Sequence, residues 1–189
     1  MGVLVGTNCR FDEKGWFSLA RRLDSPNYDA RPTGVLPDLL VIHNISLPPE
    51  QFGGSNIEQL FTNCLDPEAH PYFAEIVDLR VSSHLLIDRE GKVIQFVSLN
   101  ERAWHAGISS WQGRESCNDY SIGIELEGSD TQAFTEAQYQ TLVKATEAIQ
   151  VSFPNISAAR IVGHSDIAPG RKTDPGPLFD WGAFRKSVS

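Results

Sequence analysis

Asp38-Leu39-Leu40-Val41-Ile42-His43-Asn44-Ile45 is a short apolar run, flanked by Pro37 on one side and Pro48-Pro49 on the other. Such a run between turn signals predicts a buried strand. It ends in a histidine and an asparagine, where the strand would pass into the loop LPPEQFGGSN. Further along, Ile57, Leu60, Phe61 and Cys64 recur at helical spacing, and Pro67 and Pro71 bracket an irregular stretch. Ser83 to Asp88 and Lys92 to Ser98 predict two strands joined by the hairpin turn Arg89-Glu90-Gly91. Ser121 to Glu127 alternates apolar and polar residues, the pattern of a half-buried strand. Thr135 with Gln138 three residues on is a capping-box pattern, opening a helix that runs to about Phe153 and stops before Pro154. Ala159 to Gly163 predicts a last short strand, and Asp180 is a candidate cap for a short terminal helix. Strands that come both as a hairpin and separated by helices predict an α+β fold, with a central mixed β-sheet flanked by α-helices.

The 189 residues suit one domain, with 41% hydrophobic, 21% charged and 10% aromatic residues. That composition excludes a disordered, collagen-like or coiled-coil chain. Sixteen Lys+Arg against 24 Asp+Glu give a net charge of -8, which argues against nucleic acid and against an anionic membrane surface as partners. No run of eighteen apolar residues occurs, and the start carries only the short patch Val3 to Val5, so a cytoplasmic location is expected. Cys9, Cys64 and Cys117 are odd in number, far apart and without a C-x-x-C pair, as expected of reduced thiols. A single domain over residues 1–189 is expected, with residues 1–14 as an N-terminal extension, acting as a monomer.

No G-x-S-x-G, G-x-G-x-x-G, Walker loop or H-E-x-x-H is present. Of the five histidines, His43, His70, His84, His105 and His164, two share a setting: His43 follows LLVI and His164 follows RIVG, each where a buried strand gives way to a polar loop. Ligands in open sheets bind beyond strand ends. Taken singly, either histidine is more simply a satisfied residue at a strand end. With Asp174, on the Pro175-Gly176 turn ten residues after His164, they make two His and one carboxylate, the pattern of a catalytic zinc with its fourth position open. Glu125 and Glu127 share one strand face and are candidate bases. Burial in the apolar stretch IGIEL would raise the pKa of Glu125. Lys172 is a candidate for stabilising an oxyanion. Tyr72, Trp104, Trp111 and Trp181 are core residues by default, though Trp104-His105-Ala106-Gly107 places an indole and an imidazole beside a glycine. Arg80 and Arg114 are candidate clamps for substrate carboxylates.

The segments LLVIHNISLPP, DPEAHPYF, RAWHAG, CNDYSIGIELEG and GHSDIAPGRKTDPGP resemble the zinc-dependent N-acetylmuramoyl-L-alanine amidases, a family that includes peptidoglycan recognition proteins. The likeness runs from about Gly15 to Phe184 and is strongest to the cytosolic members that act on anhydro-muropeptides. It implies one zinc ion held by His43, His164 and Asp174, Glu125 as the catalytic acidic residue and Lys172 as its assistant at the oxyanion. It places Asn44, Arg80 and Trp104 in contact with substrate, and Tyr72, among the aromatic residues of a possible cleft, is a further candidate for that contact. It also implies cleavage of the amide between (anhydro-)N-acetylmuramic acid and L-alanine in recycling of cell-wall fragments, and a link to β-lactamase regulation. Two rival readings carry the same fold: a muropeptide-binding module that does not cut, and a secreted autolysin.

Overall fold

The computed structural model describes residues 9–188. The patch at residues 3–5 and most of the N-terminal extension lie outside the described residues. In chain order the elements are β1 (Ala20–Arg22), β2 (Tyr28–Asp29), β3 (Leu39–Ile45), α1 (Asn56–Phe61), α2 (Pro71–Ile76), β4 (Leu85–Ile87), β5 (Val93–Gln95) and β6 (Arg102–Ala103). Then follow β7 (Ser110–Trp111), β8 (Arg114–Glu115), β9 (Ser121–Glu127), α3 (Glu136–Ser152), β10 (Ile161–Gly163), α4 (His164–Ile167) and α5 (Trp181–Ser187). Six strands form the main sheet in the order β1-β5-β4-β9-β3-β10. β4 and β5 pair antiparallel, as their hairpin requires, while β4, β9, β3 and β10 run parallel. The mixed sheet flanked by helices is the one expected.

Alternation along the central strands sorts two kinds of residue onto two faces. On one face Leu40, Ile42, Ile122, Ile124 and Leu126 pack beneath α3 through Leu142, Ala145 and Ile149. α3 begins where expected: the Thr135 hydroxyl accepts from the Gln138 N–H, and the Gln138 side chain accepts from the Thr135 N–H. The other face carries His43 on β3 and Ser121, Gly123, Glu125 and Glu127 on β9, all of them buried.

That burial corrects the half-buried reading of β9. Its polar residues turn away from α3, but loops cover them and water does not. The Glu127 carboxylate accepts backbone N–H groups of Gly53 and Arg89, so this residue is a loop anchor on the inside of the sheet. The hairpin strands are also shorter than expected. Before Leu85, side chains add to the backbone bonds that His84 still makes with Gly123 and Phe96: the Ser83 hydroxyl donates to the Leu85 and Gly123 carbonyls, and His84 Nδ1 accepts the Gly123 N–H at 3.0 Å. α1 ends at Thr62, whose hydroxyl donates back to the Glu58 carbonyl, and Cys64 lies beyond it, exposed. Asp180 caps α5 as expected, accepting from the Ala183 N–H at 2.8 Å. Among the described residues no helix is long and apolar enough to cross a membrane.

His84 sets an acid limit on this fold. Burial, and then the nearby charge of Arg31, push its pKa down to about 3. An unfolded histidine titrates near 6.5. Between those values the unfolded chain binds a proton that the folded chain excludes, so stability is full above pH ~6.5 and falls as the pH drops toward 3. Urea unfolding at pH ~5 is expected to show a loss of about 2 kcal/mol from His84 alone, relative to pH ~7.5. A stability that stays flat across this window would contradict the assignment of a neutral buried ring.

Candidate metal centre

Neighbouring parallel strands deliver their C-terminal ends to one edge of a sheet. His43 lies near that end of β3, and His164 follows directly on Gly163 at the end of the adjacent β10. Asp174 arrives on the loop after α4. The N–H groups of Arg171 and Lys172 donate to the Ala168 carbonyl, and the Ser165 N–H donates to the Asp174 carbonyl at 3.0 Å, which folds the loop back over α4. The three side chains meet. His43 Nδ1 lies 2.9 Å from His164 Nδ1 and 3.1 Å from Asp174 Oδ2, and His164 Nδ1 lies 3.0 Å from the same oxygen.

This triangle has the dimensions and chemistry of a ligand set. Three donors held about 2.0–2.1 Å from one tetrahedral ion lie roughly 3.3 Å apart. Burial, opposed in part by the hydrogen bond to Asp174, pushes the pKa of His43 down to about 4, so its ring is neutral near pH 7. His164 Nε2 donates to the Ala106 carbonyl at 3.1 Å, and a carbonyl only accepts. In the neutral ring this leaves the lone pair of His164 Nδ1 toward His43 Nδ1 and Asp174 Oδ2. Among the described residues, His43, His164 and Asp174 are the group of side chains able to hold a metal ion.

Glu125 is the register partner of His43 on β9, and side chains of paired residues in parallel strands share a face. It is 8% exposed, and its Oε2 has no hydrogen-bond partner. Burial pushes its carboxyl well above the usual range, the charge of Asp174 pushes the same way, and the ammonium of Lys172 opposes both. A carboxyl in this setting is poised to take up and release a proton. Lys172 is exposed and lines the same cleft.

The cleft encloses about 570 Å³ and runs from this cluster between the loop after β3 and α2. Asn44, Tyr72 and Trp104 line it. The Asn44 amide donates to Asp130 Oδ1 at 2.8 Å and to the Pro175 carbonyl at 3.1 Å, tying β3 to the Asp174 loop. The Trp104 indole N–H donates to Asp29 Oδ1 at 3.1 Å, which fixes the ring at the rim. Arg80 does not line the cleft. Its guanidinium donates to the carbonyl of Val77, the C-cap of α2, and to that of Leu79 just beyond it. Arg114 is also elsewhere, 2.7 Å from Asp38 Oδ2 and stacked over Tyr120. Sequence reasoning missed Asp130, Asn118 and Arg171. Asn118 Oδ1 accepts the His105 and Ala106 N–H groups, and Arg171 donates to the Ala106 and Ile108 carbonyls. An asparagine in a single 3-10 turn and an arginine in a loop carry no pattern of their own.

A family model described as N-acetylmuramoyl-L-alanine amidase matches residues 33–177. The chain is 60% identical over 177 residues to the 1,6-anhydro-N-acetylmuramyl-L-alanine amidase AmpD of Escherichia coli K12, covering 94% of this chain and 96% of that protein. The crystal structure of a selenomethionine AmpD derivative superposes with a TM-score of 0.92 at 59% identity, over 95% of this chain and 99% of that one. The amidase AmiD of E. coli, in complex with the substrate anhydro-N-acetylmuramic acid-L-Ala-D-γ-Glu-L-Lys, gives a TM-score of 0.60 at 32% identity, over 94% of this chain and 65% of that one.

If the triangle holds the ion, Asp174→Ala leaves two ligands and a chain that no longer retains a stoichiometric divalent metal through dialysis. Metal analysis of the dialysed variant beside the unmodified chain checks this. Equal metal content in the two would remove Asp174 from the ligand set.

Proposed function

The chain belongs to the N-acetylmuramoyl-L-alanine amidase family, and on that premise we propose the finer reading of its chemistry. It hydrolyses the amide between the lactyl group of 1,6-anhydro-N-acetylmuramic acid and the L-alanine of the stem peptide. The relatives named for that substrate, at this identity and coverage, support this choice. The setting is recycling of soluble cell-wall fragments in the cytoplasm. The three unpaired cysteines agree with a reducing compartment.

The observation that carries the mechanism is the convergence of three ligand atoms beside the unpartnered Glu125 Oε2. His43, His164 and Asp174 would hold zinc, which when bound acts as a Lewis acid and lowers the pKa of a water to roughly 7. The remaining work falls to this chain's own groups. Glu125 takes the proton of the attacking water as its oxygen adds to the lactyl carbonyl carbon. Lys172 sets its ammonium against the negative charge that grows on the carbonyl oxygen. As the C–N bond breaks, Glu125 returns the proton to the leaving nitrogen of L-alanine, and the acyl side keeps the water's oxygen in a carboxylic acid, whose remaining proton passes to the freed amine or to solvent to leave the carboxylate. Tyr72 and Trp104 give the sugar and peptide flat apolar surfaces, and the Asn44 side chain lies beside the ligands.

Steady-state kinetics on an anhydro-muramyl tripeptide test these roles. Glu125→Gln keeps the volume and removes the base. Its expected effect is a kcat lower by about 10²–10⁴-fold, with KM and zinc content little changed. Lys172→Ala is expected to lower kcat by about 10²–10³-fold. A Glu125→Gln variant with unchanged kcat would sink the proton-transfer role.

A further inference from the structure

The family reading leaves His105 without a task, although it is 8% exposed and sits against the metal centre. Its Nδ1 lies 2.9 Å from His43 Nε2, and its Nε2 lies 3.1 Å from Ser121 Oγ. The Ser121 hydroxyl in turn lies 2.6 Å from the Cys117 carbonyl. That carbonyl determines the direction of the whole chain, because it can only accept. The Ser121 proton goes to Cys117, so Ser121 Oγ accepts from His105 Nε2–H. A neutral imidazole has one donor and one acceptor, so His105 Nδ1 accepts from His43 Nε2–H. His43 Nδ1 is then left with its lone pair toward His164 and Asp174.

The partner histidine is set by the same short segment. His164 Nε2–H donates to the carbonyl of Ala106, the residue after His105. One side chain holds both acceptors in place: Asn118 Oδ1 takes the N–H of His105 at 3.1 Å and that of Ala106 at 2.8 Å. β9 makes room for the ring. A Cβ at Gly123 would lie 2.5 Å from His105 Cγ and 2.6 Å from Nδ1, closer than packed atoms approach. On one face of β9, then, Ser121 anchors the imidazole, Gly123 leaves space for it, and Glu125 reaches the cleft.

We propose that His105 is a positioning residue for the metal centre. Through Ser121 and the Cys117 carbonyl it locks His43 in the Nε2–H tautomer, while the adjacent Ala106 carbonyl does the same for His164. The proposal rests on the reading of His43, His164 and Asp174 as zinc ligands. Partners of this outer kind typically hold 10–100-fold of metal affinity.

Zinc affinity by chelator competition, measured on folded protein, separates the cases. His105→Leu removes the acceptor and is expected to weaken zinc binding 10–100-fold. His105→Asn offers an amide oxygen near the position of Nδ1 and is expected to recover most of that loss, which a mere packing role would not produce. The imidazole ¹⁵N spectrum of the unmodified zinc-loaded chain should show His43 and His164 protonated at Nε2, with a coupling across the hydrogen bond from His43 Nε2 to His105 Nδ1. This spectrum needs no variant, so it decides even where His105→Leu does not fold. Unchanged affinity in His105→Leu, or a His43 ring protonated at Nδ1, overturns the proposal. An unmodified chain that binds no zinc overturns the ligand reading beneath it.

Discussion

Parallel pairing of β3 with both β9 and β10 is the constraint on which the cleft depends. It puts the ends of three strands at one edge, with His43 and Glu125 in the last pleats before their strands end and His164 just beyond the end of its own. A shift of one residue in register would turn each side chain to the opposite face. His43 and Glu125 would then point under α3, and the apolar residues Ile42 and Ile124 would line the cleft. The packing of Leu142, Ala145 and Ile149 on the apolar face thus sets the geometry of the polar one. Core burial and site construction are in this sense the same act.

The polar face is costly to bury, and the structure meets that cost group by group. His84 bonds the Gly123 N–H and lies 3.1 Å from the Glu101 carbonyl. His105 lies between His43 and Ser121, and Glu127 takes two loop N–H groups. Arg31 reaches from an earlier loop to the carbonyls of Leu99, Asn118, Asp119 and Ser121 at 3.0–3.2 Å, bracing the entry to β9. Among the buried carboxylates on this face, Glu125 stands apart with an unpartnered oxygen. A buried carboxylate oxygen left open beside the cleft is where a proton would be handled.

Much of this was legible in the sequence, for physical reasons that differ by element. The run Leu39–Ile42 read as a buried strand because apolar residues between turn signals have few other uses. The Thr135–Gln138 cap read clearly because capping is local. His43, His164 and Asp174 were grouped by the shared strand-end setting and the turn at Pro175-Gly176, and the fold does bring them together. What failed to show was long-range. Alternation in Ser121–Glu127 reported two faces correctly but not that loops would cover the polar one. Arg80 is the local exception: its partners are the carbonyls one and three residues before it, and no spacing rule marks an arginine that folds back on its own turn. His105 stood out beside Trp104, yet its link to His43 joins residues 62 apart and follows no spacing rule.

Hydrolysis of the lactyl–L-alanine amide leaves the oxygen of the attacking water on the acyl side. The most direct measurement is mass spectrometry of a 1,6-anhydro-N-acetylmuramyl tripeptide incubated with the zinc-loaded chain in water enriched in oxygen-18. Two products are expected: an anhydro-muramic acid carrying one heavy oxygen in its lactyl carboxylate, and an unlabelled tripeptide with a free N-terminal L-alanine. Intact substrate, or label and cleavage at any other bond, would rule out the proposed amide hydrolysis.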